Sequence, residues 1–198
     1  MFSALENSFA RDSDLCVGNH GHAGSSSIAG LTELVCRFGG SSFERGAYRV
    51  VRAVDMGRWN ARIGFAYPEF AGKVTCFGYD WLGRAFAAES TRREKDGAEV
   101  LMFDPGAGEA LEVPCDVVTF HDRGLLEFAE AALARGFRKR WAAAGGAAPQ
   151  YQQCIGYIKP LFLGGEDEVS NLALDDIDVY WHITGQLMRG AGRRLREP

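Results

Sequence analysis

Residues 154–186 read CIGYIKPLFLGGEDEVSNLALDDIDVYWHITGQ, and this stretch decides the fold of the C-terminal part of the chain. Pro160 has no backbone donor and a fixed φ, and it precedes the apolar run Leu161–Leu163. Gly164 and Gly165 follow, and glycine adopts backbone angles that other residues avoid. We therefore expect a short buried strand that ends in a tight turn.

A helix is predicted at the end of the same stretch. Asp175 and Asp176 stand where N-cap residues occur, and Asp178 follows in the expected first turn. Apolar and aromatic residues then recur at helical spacing. They are Ile177, Tyr180, Trp181, Thr184, Leu187 and Met188. The pattern predicts a helix with one buried, partly aromatic face.

An ordered series of short motifs runs through this stretch. It consists of Cys154-Ile155-Gly156-Tyr157, Pro160-Leu161-Phe162-Leu163-Gly164-Gly165 with Asp167, Asn171-Leu172, Asp176 with Val179-Tyr180-Trp181, and Gly185-Gln186-Leu187. The series resembles the C-terminal domain of the Tdi-type immunity proteins, which protect bacteria that carry type VI secretion systems from a DNase effector.

Two motifs further upstream resemble the GAD-like domain that precedes this domain in the same proteins. They are RFGGSSF at residues 37–43, followed by Gly46 and Tyr48-Arg49-Val50, and FGYDWLGR at residues 77–84. With the linker-like composition before them, the resemblance implies four segments. These are an N-terminal arm and Gly/Ser linker at 1–27, a GAD-like domain at 28–112, the Tdi-type domain at 113–190, and a basic tail at 191–198.

The resemblance also implies a function. A protein of this type is expected to be a non-catalytic, cytoplasmic immunity protein that binds and neutralises a cognate type VI secretion toxin, here a DNase effector. It is expected to need no cofactor and to contact neither nucleic acid nor membrane directly. The resemblance supplies no map of the interface and no oligomeric state.

Composition limits the function independently of the resemblance. The chain has 198 residues, of which 46% are hydrophobic, so it can bury a core. A formal charge of −4 has the wrong sign for a nucleic-acid binder and is too small for a DNA mimic. The five cysteines form no C-x-x-C pair, which favours a reducing cytoplasm. We expect neither a membrane span nor an export signal, since no apolar run is long enough and charges interrupt the N-terminus.

The acidic residues after the double glycine are the candidates for partner binding. Glu166, Asp167 and Glu168 lie on the predicted exposed turn, where binding residues concentrate. An acidic surface there would meet a basic DNA-binding face of a nuclease and speed association. The alternative is that these charges are only solvated.

A small-ligand-binding or sensing protein is the alternative function, with a pocket between the two parts of the chain. The candidate lining residues are Trp81, Arg84, Tyr180 and Trp181. Each of them also fits a buried structural position.

Catalytic and metal sites receive no support from the sequence. His121 beside Asp122, and His182, have side chains suited to acid–base chemistry, but no nucleophile lies at a readable spacing. Cys16, His20 and His22 match no common zinc spacing, and the last two fall in the Gly/Ser/His-rich stretch that we interpret as a linker. We predict a protein with no catalytic residue and no bound metal.

The remaining pattern predicts an α+β fold, with a mostly antiparallel sheet and packed helices in two closely joined parts. Hairpins are expected for residues 73–79 with 84–88, and for residues 98–103 with 110–113. A single helix is expected over residues 124–141.

Aromatic spacing adds two local expectations. Phe77 and Tyr79 alternate along their strand, which predicts that both lie on one face of the sheet. Phe2, Leu5 and Phe9 are spaced for a short amphipathic helix that docks on the body.

Overall fold

A six-stranded antiparallel sheet, ordered as in the chain, is the centre of the computed structural model, which describes residues 1–18, 26–89 and 99–194. Its strands are β1 (Ser42–Phe43), β2 (Tyr48–Val50), β3 (Val74–Asp80), β4 (Ala85–Glu89), β5 (Val100–Asp104) and β6 (Glu109–Val113). A separate antiparallel pair consists of β7 (Gln153–Tyr157) and β8 (Leu172–Asp176). The α+β class and both predicted hairpins are confirmed.

Helices lie on both sides of the sheet. They are α1 (Ser3–Ser8), α2 (Leu31–Phe38), α3 (Met56–Ala66), α4 (Val117–Thr119), α5 (Leu125–Glu127), α6 (Ala129–Leu133), α7 (Arg135–Ala143) and α8 (Ile177–Arg194). A π-helical turn, Phe120–Gly124, joins α4 to α5.

Both faces of the sheet are buried from β1 to β5, which explains why β3, β4 and β5 are almost continuously apolar, whereas β6 is largely exposed. One face packs against α1, α2 and the helical segment from α4 to α6. The other face packs against α3, α8 and β7. A third, smaller core joins the β3–β4 turn to α7 and to the β7–β8 pair. The sheet therefore holds N-terminal and C-terminal elements together on each side.

The expectation that Phe77 and Tyr79 share a face is wrong. The pairing of β3 with β4 shifts between Cys76 and Gly78, so that Phe77 is an extra residue in its strand. Such a bulge reverses the alternation of side chains beyond it. Phe77 consequently packs beside His121 in one core, and Tyr79 packs in the core on the other face.

The single helix expected over residues 124–141 is also wrong, because the segment is divided into short helices. The first break is at Phe128 and the second is at Ala134, which adopts a left-handed conformation with φ of 46°. Side chains from the β3–β4 turn donate hydrogen bonds to the carbonyl oxygens beside the second break. Trp81 donates to the oxygen of Leu133 at 2.8 Å, and Arg84 donates to that of Ala132 at 3.0 Å. A helix running through this point would use these oxygens itself.

The N-terminal arm docks on the body as predicted. Phe2, Leu5 and Phe9 are buried in the core that contains α2. The carboxylate of Asp122 accepts hydrogen bonds from the backbone N–H groups of Phe2 and Ala4, both at 3.0 Å, and so satisfies donors at the start of α1. Residues 19–25 of the predicted linker lie outside the described residues.

Candidate partner-binding surface

The loop between β7 and β8, residues 158–171, carries the sequence motif PLFLGG, and its structure differs from the expected buried strand. Leu161–Leu163 forms a 3-10 turn, with the N–H of Leu163 donating to the oxygen of Pro160 at 3.0 Å. Gly164 then has φ of 79°. A Cβ at Gly165 would lie 1.9 Å from the carbonyl oxygen of Lys159, so only glycine fits there. The glycines therefore fold the chain back on itself instead of ending a strand.

Asn171 holds this loop closed from inside. Its side-chain N–H₂ group donates to the backbone oxygens of Lys159 and Glu166, each at 2.9 Å. Its side-chain oxygen accepts from the N–H of Lys159 at 2.9 Å. One amide side chain thus fixes both ends of the turn that carries the acidic residues.

The loop is also fixed to the main sheet. The N–H of Leu161 donates to the oxygen of Gly106, in the β5–β6 turn, at 2.9 Å. A Cβ at Gly106 would lie 2.5 Å from the ring of Tyr157, and one at Gly108 would lie 3.1 Å from the ring of Phe162. Gly106 therefore allows Tyr157 of β7 to approach the β5–β6 turn, and Gly108, with φ of 72°, allows the contact with Phe162 of the loop.

Glu166, Asp167 and Glu168 all lie on the outside of this loop and are exposed. Glu166 and Glu168 flank the one carboxylate that contacts the body, since Asp167 accepts a hydrogen bond of 2.6 Å from the hydroxyl of Tyr157. Burial raises the pKa of Tyr157, and the carboxylate of Asp167 raises it further, so the hydroxyl stays protonated and donates this hydrogen bond. The turn therefore presents three acidic side chains, of which that of Asp167 is held by Tyr157.

Exposed apolar side chains belong to the same β7–β8 region. Ile158 is 67% exposed, Leu163 is 40% exposed and Leu174 is 43% exposed. A rigid surface with both charged and apolar groups suits protein binding, because little conformational entropy is lost on association. The sequence pattern did not indicate that these three residues are exposed, nor that Asn171 anchors the loop. The only signal in the sequence was the series of motifs from Pro160 to Asn171.

The acids at the start of α8 have a structural role instead. The carboxylate of Asp176 accepts from the N–H groups of Asp178 at 2.8 Å and Val179 at 3.1 Å, which is the predicted helix cap. Asp178 pairs with Arg62, whose Nε lies at 2.7 Å, and with Arg58 at 3.3 Å. Hydrogen bonds and ion pairs within the chain therefore account for these carboxylates.

The four residues expected to line a ligand pocket connect distant elements of the fold. Trp81, Arg84, Tyr180 and Trp181 are all less than a tenth exposed. The indole N–H of Trp181 donates to the oxygen of Gly83 at 2.9 Å. The hydroxyl of Tyr180 accepts from the N–H of Tyr157 at 3.3 Å. With the bonds of Trp81 and Arg84 to α6, these contacts join the β3–β4 turn to the helices and to β7.

A buried ion pair fixes the β3–β4 turn itself. The carboxylate of Asp80 contacts the guanidinium of Arg84 at 2.6 Å and accepts from the N–H groups of Leu82 at 3.0 Å and Arg84 at 2.9 Å. Burial raises the pKa of Asp80, and the charge of Arg84 opposes that shift. The motif FGYDWLGR therefore encodes a turn whose polar groups are satisfied internally.

The remaining candidates from the sequence are the histidines His121 and His182 and the possible metal ligands Cys16, His20 and His22. His121 is buried and bonded to Tyr48, whereas His182 is exposed and stacks on Phe65. Cys16 donates to the oxygen of Asp12, and His20 and His22 lie outside the described residues. Within residues 1–18, 26–89 and 99–194, no group of three or more metal-ligating side chains could hold an ion. Helices in these same ranges do not include one long and apolar enough to cross a membrane.

Comparison with known proteins supports the resemblance in the C-terminal part. Over 94% of this chain and 89% of the other, the fold is similar to the crystal structure of Atu4351 from Agrobacterium tumefaciens, with 12% identity and a TM-score of 0.55. At this identity the likeness concerns the fold alone. No curated protein matches the sequence. Residues 139–188 match the family model described as T6SS immunity protein Tdi1, C-terminal. Over residues 139–188 the chain is therefore similar to the C-terminal domain of the T6SS immunity protein Tdi1.

Proposed function

We propose that this protein is a cytoplasmic, non-catalytic immunity protein that binds and neutralises a cognate type VI secretion toxin, and that the toxin is a DNase. The match of residues 139–188 to the Tdi1 C-terminal domain carries the proposal. The nature of the toxin and the cytoplasmic location come from the sequence resemblance. The GAD-like domain at 28–112 and the boundaries of the other segments belong to the same proposal.

The loop with Glu166, Asp167 and Glu168 is the proposed contact with the toxin. A DNase needs a basic face to hold the phosphate backbone of DNA, and an acidic surface is complementary to that face. The anchoring of the loop by Asn171 and Gly165 supports this assignment, because a preformed surface loses little entropy on binding. Ile158 and Leu163 are exposed on the same loop and would supply apolar contact area.

Binding of this kind neutralises a nuclease by occupying the surface that DNA needs. Long-range attraction between acidic and basic surfaces raises the association rate, and this contribution falls with added salt. The protein needs no chemical step of its own. Immunity then depends on affinity and on the lifetime of the complex.

Co-expression tests the proposal. A candidate secreted toxin encoded beside this chain is expressed in bacteria with and without the protein, and a toxin with an inactivated active site controls for expression burden. We expect the protein to restore growth and to co-purify with the toxin. Failure of both results, with a toxin shown to degrade DNA, would exclude the immunity role.

A further inference from the structure

A cavity of about 570 Å³ lies between strands β5 and β6 and the helical segment from the π-helical turn to α6. It is at the junction of the two predicted parts of the chain, but none of the four residues expected to line a pocket there contributes to it. Met102 and Leu111 line it from the sheet, and Phe120, Phe128 and Ala132 line it from the helices.

The helical segment on one side of the cavity is irregular. The π-helical turn and the break at Phe128 move the chain away from a regular helix, and π-helical turns are frequent at functional sites. Phe128 is 64% exposed and Leu111 is 44% exposed, so apolar groups extend to the surface at the cavity's mouth. β6 is the last strand of the sheet within the described residues, and it leaves this side uncovered by a further strand.

The polar groups around the cavity indicate which ligand it can accept. Arg123 lies at its rim and pairs with Glu127 at 3.2 Å, and exposed Glu112 is a second carboxylate of the lining. A carboxylate or phosphate would therefore meet two acids and a cation that is already paired. Burial raises the pKa of the thiol of Cys115, which lines the cavity, to about 11, so the thiol is uncharged near pH 7.

We propose that this cavity is a binding site for an uncharged, apolar small molecule. Its volume is within the range of about 300–1,000 Å³ that is usual for ligand sites. Its lining is dominated by aromatic and aliphatic side chains. The proposed contact with the toxin is on a different loop, so the cavity and the immunity role can be tested with different variants.

Fluorescence titration with the neutral apolar probe N-phenyl-1-naphthylamine tests the site. Ala132→Phe places a ring in the cavity, and Ala142→Phe adds the same ring to an exposed position of α7 as the matched control. We expect saturable binding of one probe per chain, weakened at least about tenfold by Ala132→Phe because the ring takes the ligand's space. Ala142→Phe is expected to bind like the unsubstituted protein. The anionic probe 1-anilinonaphthalene-8-sulfonate is expected to bind more weakly than the neutral probe.

A second variant covers the case in which Ala132→Phe fails to fold. Phe128→Ala removes an exposed ring at the mouth, and we expect it to retain the thermal transition and to bind the neutral probe more weakly. Absence of saturable binding to the unsubstituted protein would overturn the proposal. Equal binding by all the variants, or capture of apolar peptides without competition from the neutral probe, would overturn it as well. Toxin neutralisation is expected to survive Ala132→Phe, which separates this result from the test of immunity.

Discussion

The buried histidine of the π-helical turn makes folding stability dependent on pH. His121 lies with Nδ1 2.6 Å from the carbonyl oxygen of Val117 and Nε2 2.8 Å from the hydroxyl of Tyr48. Since a carbonyl only accepts, Nδ1 carries the proton and Nε2 accepts from Tyr48. Burial lowers the pKa of His121 to about 4, although the bond to Val117 and the neighbouring carboxylate of Asp122 act in the opposite direction.

The sign of the effect follows from proton binding. In the unfolded chain a histidine binds a proton below its ordinary pKa of about 6.5, whereas folded His121 stays neutral until about pH 4. The unfolded state therefore gains protons first, and the free energy of unfolding falls as the pH falls between these values. The loss from this residue is about 2.5 kcal/mol between pH 7.5 and pH 4.5 and approaches about 3.4 kcal/mol well below pH 4.

Urea unfolding followed by tryptophan fluorescence, at several pH values from 7.5 to 4.5, measures this loss. His121→Gln removes the titrating group, and we expect its free energy of unfolding to fall by about 2.5 kcal/mol less over this range than that of the unsubstituted protein. His182→Gln, which removes an exposed histidine, is the control for losing one histidine. The reasoning is refuted if the unsubstituted protein and His121→Gln lose stability in parallel, or if His121 titrates near pH 6.5 by nuclear magnetic resonance.

Three further substitutions test the loop and the central turn. In urea unfolding, Gly165→Ala should destabilise the fold by at least about 3 kcal/mol, because the added Cβ meets a backbone oxygen. The control Gly57→Ala, in an open helical position, should be neutral or slightly stabilising. Asn171→Ala should cost about 1–3 kcal/mol and speed hydrogen exchange in the acidic turn, and unchanged exchange there would contradict its anchoring role. Arg84→Met should lower the free energy of unfolding by about 3–5 kcal/mol at neutral pH, because it leaves buried Asp80 unpaired. A smaller loss in the double variant Arg84→Met with Asp80→Asn, measured by thermal unfolding, would confirm the pairing.

Local patterns predicted much of the fold because the signals were local. The hairpins follow from apolar strands around turn residues, and α8 follows from its spacing and the cap at Asp176. The arm helix docks because its apolar residues share one face. The exposure of the acidic turn was likewise predictable from the charges that follow the double glycine.

Long-range contacts account for the expectations that were wrong. The helix expected over 124–141 breaks where Trp81 and Arg84, far away in the chain, take carbonyl oxygens beside Ala134. The bulge at Phe77 depends on how β3 pairs with β4, which the alternation within one strand cannot reveal. The apolar cavity has walls from the sheet and from the broken helical segment, so no single stretch of sequence encodes it.

The affinity of purified toxin for this protein tests the proposed immunity most directly. Isothermal titration compares the unsubstituted chain with the pair Glu166→Lys and Glu168→Lys, which spares the bond between Asp167 and Tyr157. Reversal of two other exposed acids, Asp14→Lys with Glu69→Lys, is the charge-matched control. We expect a stable complex that stops DNA cleavage, weakened at least about tenfold, or about 1.4 kcal/mol, by the first pair and little by the control. An active toxin that does not bind the unsubstituted chain would contradict the immunity role, and equal losses from both pairs would contradict its assignment to the acidic loop.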